Sequence, residues 1–198
     1  MIEATVFDYG VGNLHSLAKA LERAGARVRV TDRAADIGAA ECLVLPGVGA
    51  ADRVMTQLEG ASDALRRRLE GGIPALGVCV GMQILFDSSE EGAARCVGFL
   101  PGRVRRLTAP VLPHIGWSPV AHGDDPLFEG IPADEYFYFV HSFAAGPDGA
   151  IATAEYGAPF AAACRRNNTW GVQFHPEKSS TAGQTLLRNF VRLAEGRP

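Results

Sequence analysis

The chain has 198 residues, 47% of them hydrophobic, with a net charge of −3 and a pI near 5.9. That length and apolar content suit a single domain over residues 1–198 with a sizeable core. A nucleic-acid footprint is excluded by the absence of a basic run, since Arg66-Arg67-Arg68 reads as one solvated helix face, and no apolar run approaches the ~20 residues of a membrane helix.

Taken in order, Ala4–Asp8 reads as a short strand, so Met1–Val6 is not expected to be a signal peptide. Asn13 is a plausible cap for a helix with Leu14, Leu17, Ala18 and Leu21 on its apolar face, stopped by Gly25. Strands are predicted at Ala26–Thr31 and Cys42–Leu45, the latter ending in Pro46-Gly47-Val48-Gly49. A helix from about Ala50 to Leu69 leads through Gly71-Gly72 to the strand Ile73–Val78. This alternation implies an open, mostly parallel twisted sheet with helices on both faces, of flavodoxin-like type. The second half is β-rich. Strands are predicted at Arg103–Leu107, Tyr136–Val140, Ile151–Tyr156, Phe160–Cys164 and Trp170–Phe174, with Asn167-Asn168 as a hairpin turn between the last two. Leu186, Leu187, Phe190, Val191 and Ala194 mark a closing amphipathic helix.

The four cysteines show no metal-binding spacing. Cys42 and Cys164 lie in strand-like segments and read as inert core thiols, which with the rest suggests a reducing, cytoplasmic setting. Cys79 differs. In Gly77-Val78-Cys79-Val80-Gly81 it sits where a strand runs into a helix, the cysteine counterpart of a nucleophile elbow. The helix N-terminus favours a thiolate there, and the Val80 N–H is the expected oxyanion donor. A buried cysteine beside packing glycines is the alternative. At the end of a later strand, Gln173-Phe174-His175-Pro176-Glu177 offers a base and a carboxylate that share one side of an extended chain. Nucleophile, base and orienting group are the parts of a triad. Gly47-Val48-Gly49 permits a close backbone approach or a peptide flip, and reads either as a second oxyanion donor or as a plain strand-to-helix turn. Gln83 lies one helical turn after Cys79, either contacting substrate or lying on the surface. Glu90-Glu91 has no role from sequence alone.

These motifs resemble the class I glutamine amidotransferases, in Gly77-Val78-Cys79-Val80-Gly81-Met82-Gln83 and in Gly171-Val172-Gln173-Phe174-His175-Pro176-Glu177-Lys178-Ser179. Within that family, Phe7–Asn13, Pro46–Ala50, His114-Ile115-Gly116-Trp117 and Tyr138–Phe143 resemble the branch that serves histidine biosynthesis. Val80 stands where Leu is usual, and Ser118 where Asn is common. The resemblance implies that Cys79 attacks the side-chain amide of glutamine, that His175 shuttles protons, and that Glu177 holds the imidazole. It implies oxyanion donors at the Val48 and Val80 backbone. It places Gly47, Gly49, Gln83, Glu91, His141, Ser142 and Phe143 around the glutamine. It further implies ammonia transfer to a (β/α)₈-barrel cyclase subunit in a 1:1 heterodimer, with Asn13, Trp117, Tyr138 and Lys178 at or near the interface. No cofactor and no metal are expected. Competing readings are a sister subunit serving pyridoxal phosphate, purine or anthranilate synthesis, a stand-alone cysteine hydrolase, and a non-catalytic binding module.

Overall fold

The computed structural model describes residues 1–10, 14–47 and 49–196. In the first half, β1 (Glu3–Phe7) leads through α1 (His15–Arg23) to β2 (Arg27–Thr31), and α2 (Ala34–Ala39) leads to β3 (Cys42–Leu45). The helices α3 (Ala51–Gln57) and α4 (Ser62–Glu70) precede β4 (Ala75–Val78), which turns directly into α5 (Val80–Gln83). Helical crossovers of this kind return each strand in the same direction, so these strands pair in parallel.

The second half supplies β5 (Ser88–Ser89), β6 (Arg103–Arg106), β7 (His114–His122), β8 (Glu135–His141), β9 (Phe143–Ala145), β10 (Ala152–Tyr156), β11 (Ala158–Arg166) and β12 (Thr169–Val172), then α6 (Ser180–Ala194). Among the described residues these make a nine-stranded sheet in the order β2-β1-β3-β4-β12-β11-β10-β7-β8, and a three-stranded sheet β5-β6-β9. β12 is the pivot. It runs parallel to β4, with Val172 opposite Val78, and antiparallel to β11. A strand from near the end of the chain thereby lies beside the one that carries Cys79.

Strand alternation sorts the core onto two faces. Val6, Val44 and Val78 pack with Leu17 and Leu21 of α1 and Leu186, Leu187 and Phe190 of α6. Phe7, Leu43 and Leu45 pack with Val54 of α3, Leu65 and Leu69 of α4, and Met82 of α5. Each such fully buried side chain contributes roughly 1.5–3 kcal/mol.

Several elements differ from the sequence reading. The single helix expected over Ala50–Leu69 is two, because Gly60 adopts φ +80° and ends the first. Val54, Leu58, Ala61, Leu65 and Leu69 are all buried across the break, so the apolar spacing conceals it. β7 escapes prediction because its burial is inverted: His114 is buried while Ile115 and Trp117 face outward. The two-residue turn at Asn167-Asn168 joins β11 to β12 as expected, with Asn167 at φ +54°. No helix among the described residues is long and apolar enough to cross a membrane.

Candidate active site

Cys79 sits between β4 and α5 with φ +49° and ψ −111°, a conformation costly for a side chain with a Cβ. The surroundings enforce it. The Cys79 N–H donates to the Val172 carbonyl at 2.7 Å, so β12 anchors the turn, and the Cys79 carbonyl accepts the Gln83 N–H at 3.1 Å. A Cβ on Gly77 would lie 2.5 Å from the Gly81 carbonyl oxygen, and a Cβ on Gly81 would collide with the Leu45 carbonyl. The elbow therefore needs both glycines for close approach. The helix that follows spans only Val80–Gln83, so its dipole is small.

The loop after β3 passes against the same turn. A Cβ on Gly47 would lie 2.6 Å from the Cys79 Cβ and 2.7 Å from the Val78 carbonyl oxygen. Gly49 adopts φ +92°. Val48, expected as an oxyanion donor, and Asn13, expected at the interface, lie outside the described residues. Glu91, which had no role from sequence alone, accepts the Ala51 N–H at 3.1 Å and ties the far end of this loop. Burial raises the Glu91 carboxyl, the bond from Ala51 opposes the rise, and Asp52 adds to it.

His175 lies just beyond β12, and its Nδ1 bonds the Glu177 carboxylate at 2.8 Å. Both side chains are 8% exposed. The sequence argument placed this pair on an extended chain. Pro176–Lys178 is instead a single turn of 3₁₀ helix, and the turn brings the carboxylate back to the ring. Burial pulls the imidazole pKa down, but hydrogen bonding and charge from Cys79 and Glu177 outweigh it and push it up to about 10. With Nδ1 committed to Glu177, Nε2 is left to exchange a proton with the thiol. Burial alone pushes the Cys42 and Cys164 thiols up to about 12 and Cys96 to about 11. Those three stay protonated and inert.

Gln83 is not a surface residue but 3% exposed. Its Nε2 donates to the Phe143 carbonyl at 2.8 Å and to Gln173 Oε1 at 3.0 Å, which fixes both amide orientations. Gln173 Nε2 then lies 3.5 Å from Cys79 Sγ. The sulfur also faces the Val140 carbonyl at 3.8 Å. Among the described residues, Gln83 Oε1 and Glu177 Oε2 are buried with no hydrogen-bond partner. His141 Nδ1 bonds the Phe143 carbonyl at 3.0 Å, and the Ser142 carbonyl accepts the Leu107 N–H.

Sequence reasoning missed the supports of the site. The buried Ser179 hydroxyl donates to the His175 carbonyl at 2.7 Å and accepts the Tyr138 N–H at 3.0 Å, while the Tyr138 carbonyl accepts the His175 N–H. β8 thus holds the histidine segment by its backbone. On the outer face of β7 and β8, Trp117 (49% exposed) meets the Tyr138 ring at 5.9 Å, and Lys178 Nζ lies 5.9 Å from the same ring. Tyr136 and Ile115 extend this exposed apolar patch. Among the described residues, no cluster of three or more His, Cys, Asp or Glu side chains is arranged to hold a metal.

A strained turn that presents a thiol beside a carboxylate-held imidazole belongs to thiol-dependent enzymes that form acyl intermediates, here on an open α/β sheet. The chain belongs to the glutamine amidotransferase class-I family, whose sequence profile matches residues 5–194. It is 46% identical to the imidazole glycerol phosphate synthase subunit HisH of Deinococcus radiodurans, covering 96% of this chain and 93% of the relative. It is 47% identical to the HisH subunit of Methylococcus capsulatus, covering 97% of each. A glutamine amidotransferase structure from Thermotoga maritima shares the fold with a TM-score of 0.71 at 16% identity, covering 98% of this chain and 97% of that one.

Proposed function

We propose that residues 1–198 form one glutaminase domain, the subunit of imidazole glycerol phosphate synthase that releases ammonia from glutamine and passes it to a partner subunit. The observation that carries this reading is the His175–Glu177 bond of 2.8 Å beside the Cys79 elbow, in a chain 46–47% identical to HisH subunits over nearly its whole length.

In this reading the Cys79 thiolate attacks the side-chain amide carbon of glutamine, and negative charge develops on the amide oxygen. The Val80 N–H, in the first turn of α5 where no i−4 carbonyl takes it, is one oxyanion donor of this reading, and the backbone N–H of Val48 is assigned as the second from the family resemblance. Each such donor lowers the barrier by roughly 3 kcal/mol. His175 Nε2–H protonates the leaving nitrogen, the C–N bond breaks, and ammonia departs, leaving a γ-glutamyl thioester on Sγ. His175, now neutral, takes a proton from water as the water oxygen bonds to the thioester carbon. The C–S bond breaks, glutamate leaves, and the thiolate–imidazolium pair returns. Glu177 supports the imidazolium throughout. The unpartnered Gln83 Oε1 accepts an N–H of the bound glutamine. Gly47, Gly49, Glu91 and the His141–Phe143 segment complete the pocket wall.

The partner is a (β/α)₈-barrel cyclase bound in a 1:1 complex. The patch of Trp117, Tyr138, Tyr136 and Lys178 suits such an interface, since exposed aromatics are enriched at binding surfaces. The test mixes the chain with a cyclase subunit and its nucleotide ligand and follows glutamate release. The expected result is a sharp rise only in the mixture, abolished by Cys79→Ala. Cys79→Ala with undiminished release would refute the mechanism, and no response to any cyclase would point to a sister amidotransferase.

A further inference from the structure

The β7–β8 hairpin has two unlike faces. Its outer face carries Ile115, Trp117, Tyr136 and Tyr138. Its inner face carries two buried histidines, His114 at 2% and His141 at 6% exposure. The His114 ring is stacked between Phe139, at 5.0 Å, and Tyr156, at 4.1 Å. Polar groups in such a setting need partners, and here each finds one: His141 Nδ1 lies 3.0 Å from the Phe143 carbonyl, His141 Nε2 lies 3.0 Å from His114 Nδ1, and His114 Nε2 lies 2.9 Å from Ser118 Oγ.

Only one arrangement of protons satisfies this chain. A carbonyl accepts and cannot donate, so His141 Nδ1 carries its proton. A neutral His141 then has a lone pair at Nε2, and His114 Nδ1 must donate to it. His114 Nε2 is left as an acceptor, served by the Ser118 hydroxyl. Burial lowers the pKa of both rings, that of His141 to about 4, which keeps them neutral at ordinary pH. The Phe143 carbonyl at the end of this chain also accepts Gln83 Nε2, and Gln83 continues through Gln173 to Cys79 Sγ. Two donor chains therefore meet at the Phe143 carbonyl, one running from Ser118 through both histidines and the other coming from the Gln83 amide, whose second N–H leads through Gln173 to the sulfur.

We propose that His114 is a positioning residue of the glutaminase site: held by Ser118, it donates to His141 Nε2 and keeps that ring against the Phe143 carbonyl, and through this carbonyl it steadies the Gln83 and Gln173 amides beside Cys79. This rests on the glutaminase reading for its kinetic consequence, but the tautomers themselves do not. Gln83 presents its free oxygen to the substrate only while its amide nitrogen has the Phe143 carbonyl to donate to. Loss of the relay therefore weakens glutamine binding before it slows chemistry.

The test uses the full chain. Nitrogen-15 NMR of the histidine rings at neutral pH is expected to show the Nδ1–H tautomer at both His114 and His141. His114→Phe keeps the ring stack and removes the donor. In complex with the partner it should raise KM for glutamine about tenfold, the loss of roughly one hydrogen bond, with kcat changed far less, and shift the His141 Nε2 resonance as that nitrogen loses its donor. His114→Asn, whose amide nitrogen sits near the Nδ1 position, should restore both. Ser118→Ala is the milder variant should the larger one fail to fold; it should disturb the His114 tautomer, and Ser118→Thr should restore it. An Nε2–H tautomer at His141 in the wild-type chain overturns the proposal, as does an unchanged KM in a folded His114→Phe or Ser118→Ala variant. A chain with the expected tautomers that releases no glutamate in any mixture would sink the glutaminase reading and leave the relay intact.

Discussion

Replacing Glu177 by Gln changes charge with little change of shape, and the structure sets the size of the effect. The carboxylate meets His175 Nδ1 at 2.8 Å with both side chains 8% exposed, so solvent screens the pair weakly. A hydrogen bond to a charged partner contributes about 1.5–3 kcal/mol, against about 1 for a neutral pair. The substitution therefore removes roughly 1–2 kcal/mol of support for the imidazolium, or about one pKa unit. His175 starts from about 10, held there against burial by Cys79 and Glu177. In the proposed mechanism His175 needs a proton to give to the leaving nitrogen, so activity should fall as pH rises through that pKa. In Glu177→Gln the alkaline limb of kcat/KM should move down by about one unit, and the plateau should drop about tenfold. Initial rates of glutamate release in the partner complex, followed across the alkaline range, provide the assay. An alkaline limb that stays in place while the plateau drops would refute the claim that Glu177 acts through the charge on His175.

Three further outcomes are expected. Phe174→Ala should cost about 3–5 kcal/mol in chemical denaturation, because its ring is fully buried and lies 4.1 Å from Phe137; a loss under 1 kcal/mol would count against that packing. Trp117→Ala should weaken partner binding about thirtyfold or more by titration, as removal of a hot-spot aromatic does, with the chain's own thermal stability nearly unchanged. His141, whose pKa burial lowers from 6.5 to about 4, takes up a proton in the unfolded chain before it does in the native one. Stability should therefore fall as pH drops from 6.5 toward 4, by about 3 kcal/mol in all. Urea midpoints should show that loss in the wild type, and an equal loss in His141→Asn would contradict it.

The elbow is legible in sequence because its requirements are local: two glycines for close approach and one side chain on the turn between them. The parallel half is legible for a similar reason, since short apolar runs separated by helical spacing leave few other solutions. The supports of the site are not legible. Ser179, Gln173 and His114 each bond groups on other elements, Tyr138, Gln83 and His141 respectively, and those partners are distant in sequence. Glu91 looks like half of a solvated acidic pair until α3 supplies the N–H of Ala51. β7 hides because the buried face of its first half holds histidine and serine while Ile115 and Trp117 point outward, and Val120 is the one fully buried apolar side chain that follows the usual rule.

The pairing of β4 with β12 has a consequence for biosynthesis. Ribosomes make roughly 5–20 residues per second, so about 5–20 s separate the emergence of Cys79 from that of His175. The Cys79 amide is tied to Val172 and the sulfur to Gln173, which arrive just as late. A nascent or truncated chain thus carries a thiol with no base, no anchored turn and no amide beside it. On the proposed mechanism the chain is armed only by the last strand of its sheet, and an incomplete copy should consume no glutamine.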